Sequence, residues 1–144
     1  MVKRSKAVIV TGVLNDIHHL GIWFVEKMLE REGYKVVRLG TMLLQEDFIK
    51  AAIETAADAV FVSCSNGHAE FECQGLRDKF IEAGLPNILL YLGGALSVQP
   101  KPWPELEAIF LNMDFNRVFP QGIRIEDVIK ILEEDLQNRK RGGN

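Results

Sequence analysis

The chain has 144 residues, of which 47% are hydrophobic and 26% charged, and its formal net charge is -3. This length and composition predict one folded domain with a sizeable core, and they exclude global disorder. The small negative charge gives no general reason to expect a nucleic-acid partner. No apolar stretch reaches the ~18 residues of a membrane span, and no signal-peptide cleavage site is evident near the amino terminus. We therefore expect a cytoplasmic protein that binds neither nucleic acid nor membrane.

Apolar runs alternate with helical patterns along the chain and predict five strands, each followed by a helix. The predicted strands cover residues 7–13, 35–39, 59–63, 87–92 and 117–119. The predicted helices cover residues 21–32, 45–56, 70–83, 104–112 and 125–137. This alternation predicts a single α/β domain, a flavodoxin-like (Rossmann-like) doubly wound parallel sheet of strand order 2-1-3-4-5. We expect the domain to span residues 1–137 and the tail of residues 138–144 to be mobile.

A short polar motif, Asp16-Ile17-His18-His19-Leu20-Gly21, directly follows the first predicted strand. Open parallel sheets bind ligands at the carboxyl ends of their strands, so the motif lies where a ligand site is expected. The His18 imidazole is a candidate metal ligand, and Asp16 could hold its other ring nitrogen. His19 is expected to point elsewhere, because adjacent loop residues rarely converge on one atom. Because the sequence offers only one candidate metal ligand here, the pattern favours a cofactor that brings its own metal. The hexapeptide by itself is more commonly a turn or a helix cap.

Two further loops end at the same predicted edge of the sheet. Ser63-Cys64-Ser65-Asn66-Gly67 follows the third strand, and Gly93-Gly94 follows the fourth. In the predicted order the first, third and fourth strands are neighbours, so one ligand could contact all three loops. Gly67 and the glycine pair would allow a bulky group to approach the backbone. Taken alone, Ser63 is an ordinary cap and the glycines an ordinary turn.

Other ligand classes fit the sequence poorly. The chain has no Gly-x-x-x-x-Gly-Lys-Ser/Thr, and no Gly-x-Gly-x-x-Gly follows its first strand. A phosphorylated receiver domain would end its third strand in an aspartate, where Ser63 stands here. Cys64, His68 and Cys73 are irregularly spaced for zinc, and the two cysteines match no disulfide framework.

Taken together, the three loops resemble the cobalamin-binding module, whose pattern is Asp-x-His-x-x-Gly, then Ser-x-Leu, then Gly-Gly. The similarity covers nearly the whole chain. It extends to the family of small (sigma) subunits of glutamate mutase, also called methylaspartate mutase. Runs outside the cofactor motif carry this more specific resemblance, namely residues 48–55, 75–77, 82–85 and 88–91.

The resemblance implies an adenosylcobalamin cofactor whose own base is detached from cobalt, with His18 as the lower axial ligand and Asp16 orienting it. It places the detached nucleotide tail in a slot between the first and third strands. The resemblance assigns the following residues to cofactor binding: Asn15, Asp16, Ile17, His18, His19, Gly21, Ser63, Cys64, Ser65, Gly67, Gly93, Gly94, Ala95, Leu96, Ser97, Val98 and Gln99.

The same resemblance implies a division of labour between two subunits. A large barrel-type subunit would close over the upper face of the cofactor and carry the substrate site. Radical chemistry would there rearrange glutamate to 3-methylaspartate, and the protein would orient and tune the cofactor. This chain would be inactive alone and would supply no catalytic residue.

The sequence departs from the family pattern at two places. Ser65 stands where the Ser-x-Leu element has leucine, and Phe119-Pro120-Gln121-Gly122-Ile123 replaces a Tyr-Ala-Pro-Gly-Thr-like segment. The second change removes hydroxyl groups, so a related mutase with another substrate remains open. A stand-alone cobalamin carrier or sensor is the main alternative. A corrinoid methyl-transfer protein is less favoured, because such proteins usually carry a helical cap domain before the cobalamin module.

Overall fold

Five parallel strands and six helices make up residues 7–141, the part of the chain that the computed structural model describes. The strands are β1 (Val8–Val13), β2 (Lys35–Arg38), β3 (Ala59–Ser63), β4 (Leu89–Gly93) and β5 (Arg117–Val118). The helices are α1 (Leu20–Arg31), α2 (Gln45–Thr55), α3 (Ala69–Glu72), α4 (Leu76–Glu82), α5 (Trp103–Leu111) and α6 (Ile125–Arg141). None of these helices is long and apolar enough to cross a membrane.

The strand order is β2-β1-β3-β4-β5, and every neighbouring pair is parallel. The predicted flavodoxin-like sheet is therefore confirmed. The order places β1, β3 and β4 side by side, so the loops that follow these strands share one edge of the sheet. The switch in strand order falls between β1 and β3, where open α/β sheets leave a crevice for ligands.

The helices differ from the prediction by more than one residue at two points. The predicted helix over residues 70–83 is two helices, because Gly75 adopts a left-handed backbone with φ of +79° and interrupts the helical path. Helix α6 continues to Arg141, four residues beyond the predicted end at Gln137. The first residues of the predicted domain, 1–6, and the last of the predicted tail, 142–144, lie outside the described residues.

Two apolar cores lie on opposite faces of the sheet, because successive strand residues point to opposite faces. One core joins alternate strand residues to α2, α3, α4 and α5; it includes Val60, Val62, Phe48, Phe80 and Phe110. The other joins the remaining strand residues to α1 and α6; it includes Phe61, Tyr91, Ile22, Leu29 and Leu132. The second face carries a large cavity at the carboxyl edge of the sheet.

The strand register explains where that opening begins. On the α1–α6 face, Thr11, Phe61 and Tyr91 form one row across β1, β3 and β4. Two residues further along each strand, the row is Val13, Ser63 and Gly93. The large side chains of the first row thus give way to small ones at the ends of β3 and β4.

Candidate cofactor-binding site

A cavity of about 540 Å³ lies over the carboxyl ends of β3 and β4, between α1 and the start of α6. Three segments supply its lining: the loop after β1 with the first turns of α1, the ends of β3 and β4, and the segment from β5 into α6. The lining residues are His18, His19, Leu20, Gly21, Ile22, Phe24, Val25, Phe61, Val62, Ser63, Ser65, Gly93, Gly94, Phe119, Pro120, Gln121, Gly122, Ile123, Ile125 and Val128.

Aromatic rings close the cavity towards the centre of the sheet. The rings of Phe61 and Phe119 are nearly parallel, with centroids 6.4 Å apart. Both meet the buried ring of Tyr91 edge to face, with centroids at 4.9 Å and 5.5 Å. Such edge-to-face pairs add to the stabilisation from area burial alone. The inner wall of the cavity is therefore rigid and apolar.

Asp16 organises the loops beside the cavity. Its side chain is 3% exposed. Oδ1 accepts hydrogen bonds from the Ile17 amide at 2.7 Å and the His18 amide at 3.3 Å, while Oδ2 accepts one from the Ser65 amide at 2.7 Å. Burial alone would raise the pKa of Asp16, but the hydrogen bonds from His18, Ser65 and Ile17 outweigh it, and the pKa is lowered. Asp16 is therefore an ionised hub that ties the loop after β1 to the loop after β3.

His18 is oriented by this hub. Its Nδ1 lies 2.6 Å from Asp16 Oδ1, and its side chain is 69% exposed. An ionised carboxylate can only accept, so the neutral ring carries its proton on Nδ1 and presents Nε2 as a lone-pair donor. Nε2 has no hydrogen-bond partner within residues 7–141. In metal sites, a carboxylate that accepts a hydrogen bond from one ring nitrogen orients the imidazole in the same way.

The loop after β3 also contacts the segment after β4. The Ser65 hydroxyl accepts a hydrogen bond from the Ala95 amide at 3.1 Å. Ser65, the residue that departs from the family pattern, thus has a structural role within the chain. Gly94 packs against the same loop with φ of +121°, and a Cβ there would lie 2.5 Å from the Cys64 carbonyl oxygen. Glycine is required at this position by the fold itself.

The glycines differ in what surrounds them. A Cβ on Gly93 would meet only the Phe119 Cβ, at 4.0 Å, and a Cβ on Gly21 would meet nothing within 4 Å. Both line the cavity, so their missing side chains leave room for a ligand. A Cβ on Gly67, by contrast, would lie 2.3 Å from Val98 Cγ2. Gly67 therefore serves contact between loops, as Gly94 does.

Buried polar contacts hold the two helical walls in place. On α1, the carboxylate of Glu26 accepts a hydrogen bond from the Thr11 hydroxyl, and both side chains are buried. On α6, Asp135 accepts hydrogen bonds from Arg117 at 2.8 Å and 3.0 Å and from the Tyr91 hydroxyl. Burial would raise the pKa of Asp135, but these hydrogen bonds lower it, while burial raises the pKa of Tyr91. These contacts attach α1 to β1, and α6 to β4 and β5.

The structure brings together one group of the sequence-predicted site residues and separates the others. The predicted residues that line the cavity are His18, His19, Gly21, Ser63, Ser65, Gly93 and Gly94. His19 was expected to point elsewhere, but it lies along the cavity at the start of α1. Asp16 does not line the cavity; it supports the site through its hydrogen bonds with His18 and Ser65. Asn15 faces the other side, where its amide donates to Glu72 at 2.8 Å.

The remaining predicted residues lie outside the cavity. Cys64 and Leu96 are buried in the core of the opposite face, because strand alternation turns Cys64 away from Ser63. Burial raises the pKa of Cys64 to about 11 and keeps it a thiol. Ile17, Ala95, Ser97, Val98 and Gln99 belong to loops at the sheet edge and do not line the cavity.

The cavity also differs in position from the slot expected between β1 and β3. It lies over β3 and β4, and no residue of β1 lines it. The reason is side-chain size in the last row of the sheet: Val13 is fully buried at the end of β1, whereas Gly93 leaves space at the end of β4. The cavity therefore forms at the end of this row where the side chains are small.

Sequence reasoning missed most of the apolar lining, including Phe24, Val25, Phe61, Ile125 and Val128. These residues look like ordinary core positions in a sequence, since their apolar spacing is that of buried helix and strand faces. One signal was present: the segment 119–123, which departs from the family pattern, lines the cavity along its whole length.

The described residues contain no cluster of three or more His, Cys, Asp or Glu side chains that could hold a metal ion. Cys64, His68 and Cys73 are thus not assembled into a zinc site. His18 stands beside the cavity as a single, oriented imidazole. This donor set suits a metal that arrives already coordinated by other ligands.

The fold and the site together define a B12-binding domain. A family model described as "B12 binding domain" matches residues 6–112. The glutamate mutase sigma subunit of Carboxydothermus hydrogenoformans is 50% identical over 129 residues, which cover 89% of this chain and 94% of that protein. The sigma subunit of Clostridium tetani is 45% identical, covering 92% of this chain and 97% of that protein. The chain therefore belongs to the family of glutamate mutase sigma subunits, as its sequence predicts.

A solved structure supports the fold independently. The crystal structure of a cobalamin-binding protein from Desulfitobacterium hafniense superimposes with a TM-score of 0.73 at 20% identity. The match covers 90% of this chain and 59% of that chain. At this identity the similarity concerns the fold alone.

Proposed function

We propose that this chain is the adenosylcobalamin-binding subunit of a cytoplasmic glutamate mutase, in which glutamate is isomerised to 3-methylaspartate. In this proposal His18 is the lower axial ligand of cobalt. The cavity between α1 and α6 receives the nucleotide tail with its base detached from the metal. The single observation that carries the proposal is the hydrogen-bonded set of Asp16, His18 and Ser65 at the rim of that cavity.

The donor set fits a corrin-bound cobalt ion. Asp16 holds Nδ1 of His18 at 2.6 Å and leaves Nε2 exposed, so one neutral imidazole nitrogen is available in a fixed orientation. Cobalt accepts imidazole readily, and the remaining ligands would come from the corrin ring. Because Oδ2 of Asp16 also accepts from the Ser65 amide, the imidazole is braced against the loop after β3. Little loop reordering would then be needed on binding.

The cavity fits the detached tail. Gly21 and Gly93 present bare backbone to it; a Cβ on Gly21 would meet nothing within 4 Å, and one on Gly93 would meet only the Phe119 Cβ at 4.0 Å. The aromatic wall of Phe61 and Phe119 offers flat apolar surface to a heterocyclic base. The volume of about 540 Å³ lies in the range of small-molecule sites in proteins.

The chain's own residues would hold and orient the cofactor. When bound, adenosylcobalamin supplies the organic radical on which the carbon-skeleton rearrangement depends. His18 would fix the position of the metal relative to the sheet edge, and α1 and α6 would keep water from the tail. A large barrel-type subunit would carry the substrate site and cover the opposite face of the corrin.

The first test is electron paramagnetic resonance of the cob(II)alamin complex, with the protein's histidines labelled with the heavy nitrogen isotope. We expect labelling to change the axial nitrogen splitting, because a protein imidazole replaces the cofactor's own base. His18→Gly should abolish that change. His19→Gly, the matched control from the adjacent position, should retain it. Unchanged splitting in the labelled wild-type complex would show that the base remains on cobalt and would overturn the proposal.

The apo variants provide a necessary check. The His18 side chain is 69% exposed and makes one hydrogen bond to Asp16, so His18→Gly should lower the free energy of unfolding by only about 0.5–1.5 kcal/mol. Thermal melts of the unliganded proteins measure this directly. A large destabilisation would mean that lost cofactor binding reflects unfolding of the domain.

A reconstitution assay separates the mutase subunit from a stand-alone carrier or sensor. We expect 3-methylaspartate to form from glutamate when the chain is mixed with a glutamate mutase large subunit and adenosylcobalamin. The chain alone should be inactive. Tight cobalamin binding without activity in any pairing would favour the carrier.

A further inference from the structure

The apolar character of the cavity extends to almost all of its enclosed wall. Phe61 and Phe119 form the inner end, Val25 and Val128 stand on the two helices, and Ile123 comes from the loop between β5 and α6. Each of these side chains is buried or half-buried and belongs to the core of the α1–α6 face. None of them offers a hydrogen bond to a ligand.

Polar side chains are few, and most of them are at the rim. His18, His19 and Gln121 are exposed. The Ser65 hydroxyl already accepts from the Ala95 amide. Ser63 is different: it is 9% exposed, and its hydroxyl has no hydrogen-bond partner within residues 7–141. The enclosed part of the cavity therefore offers one free side-chain hydroxyl.

The tail bases of natural corrinoids differ in how many polar atoms they carry. A benzimidazole detached from cobalt has one ring nitrogen that needs a hydrogen bond, and the Ser63 hydroxyl could supply one. A purine such as adenine carries an exocyclic amino group and further ring nitrogens. Each of these loses its water on entering an apolar site, and an unpaired buried polar group is costly.

We propose that this chain selects corrinoids by their tail base, and that it binds those with a benzimidazole base more tightly than those with a purine base. The proposal rests on the proposed function, in which the tail occupies this cavity. Phe119 and Ile123 are the residues that set the preference. Both line the enclosed part of the cavity and neither carries a polar side-chain atom, so this part of the wall offers a ligand no side-chain hydrogen bond.

The test measures dissociation constants of the full chain for three corrinoids by the change in corrin absorbance: cobalamin, the adenine-based cobamide, and cobinamide, which has no nucleotide tail. In a free corrinoid the tail base can detach from cobalt, and acid titration of each free corrinoid gives the equilibrium constant for that step. Each dissociation constant is corrected for this equilibrium. After correction, we expect wild-type protein to prefer cobalamin by about tenfold or more. Cobinamide should bind more weakly than cobalamin.

Matched variants locate the preference. Ile123→Thr adds a hydroxyl and should shift the ratio of the two constants towards the adenine cobamide by about threefold to tenfold. Ile123→Val introduces a side chain with nearly the size of threonine but no hydroxyl, and it should leave the ratio within about twofold. Ser63→Ala should weaken cobalamin binding and leave cobinamide binding unchanged. The cost of base detachment belongs to the corrinoid and cancels when variants are compared.

The outcomes separate the two proposals. Equal corrected affinities for the two cobamides, with a ratio that Ile123→Thr does not move, would overturn the base selection while cobalamin binding itself still stood. Cobinamide binding as tightly as cobalamin would also overturn it, because the tail would then make no contact with the cavity. Failure of all three corrinoids to bind would overturn the proposed function.

Discussion

On the face of the sheet covered by α2 and α5, Leu14 and Cys64 continue the apolar core past the ends of β1 and β3, and they are 1% and 0% exposed. On the face covered by α1 and α6, Ser63 and Gly93 stand at the corresponding ends and leave a cavity of about 540 Å³. The end of β3 thus contributes Cys64 to a buried core on one face and Ser63 to the cavity on the other.

The difference shows how small a change in sequence separates a core from a site. Ser63 and Cys64 are adjacent, and alternation alone sends one to the cavity and the other to the closed core. The backbone of β3 is common to both. Side-chain size in the last row of the sheet therefore decides where a ligand can enter.

Truncating one side chain on each face gives the largest contrast. Leu14→Ala should lower the free energy of unfolding by about 2–5 kcal/mol, because it truncates a side chain that is fully buried in the core. Val25→Ala should lower it by only about 0.5–1 kcal/mol, because Val25 already borders open space. Urea denaturation of the unliganded proteins measures both values. Similar losses for the two variants would show that the two faces are equally well packed.

The adjacent glycines give a second contrast. Gly94→Ala should cost about 2–4 kcal/mol of folding free energy, because the residue has positive φ and its Cβ would meet the Cys64 carbonyl oxygen. Gly93→Ala should change it by less than about 0.5 kcal/mol, since its Cβ would point into the cavity. Differential scanning calorimetry of the two variants compares them directly. Equal destabilisation would contradict the division between a glycine for the fold and a glycine for the ligand.

The smallest expected effect concerns the Asp16 hub and its dependence on pH. Asp16→Asn should lower the free energy of unfolding by about 1–2 kcal/mol at neutral pH, because an amide oxygen replaces a carboxylate that accepts several hydrogen bonds. The pKa of Asp16 is lowered in the folded protein. Its stabilisation is therefore complete above the unfolded pKa and is lost as the pH falls through the folded value.

The pH dependence provides the measurement. Wild-type protein should lose more stability than Asp16→Asn as the pH falls below about 5, and the two curves should converge in acid. Asp78→Asn, which removes the same charge from an exposed position on α4, is the matched control and should follow the wild-type curve. Parallel curves for wild-type protein and Asp16→Asn would show that the hub does not stabilise the fold through its ionised form.

The parts of the site that were predictable are those set by local sequence. The motif from Asp16 to Gly21 specifies the contact between Asp16 and His18, because the two side chains are only two residues apart on one loop. The sheet order followed from the alternation of strands and helices. The predicted helix over residues 70–83 was wrong at Gly75, whose left-handed backbone separates α3 from α4.

By itself, the sequence determined the parallel sheet, the edge at which its loops meet and the oriented histidine, since periodicity and short-range spacing act within a few residues. Only the tertiary structure decided that the cavity lies over β3 and β4, that Gly94 serves the fold while Gly93 lines the cavity, and that residues 119–123 form a wall. These features depend on side chains brought together from distant segments. Their size and register across strands, which no local pattern encodes, fix the shape of the space between them.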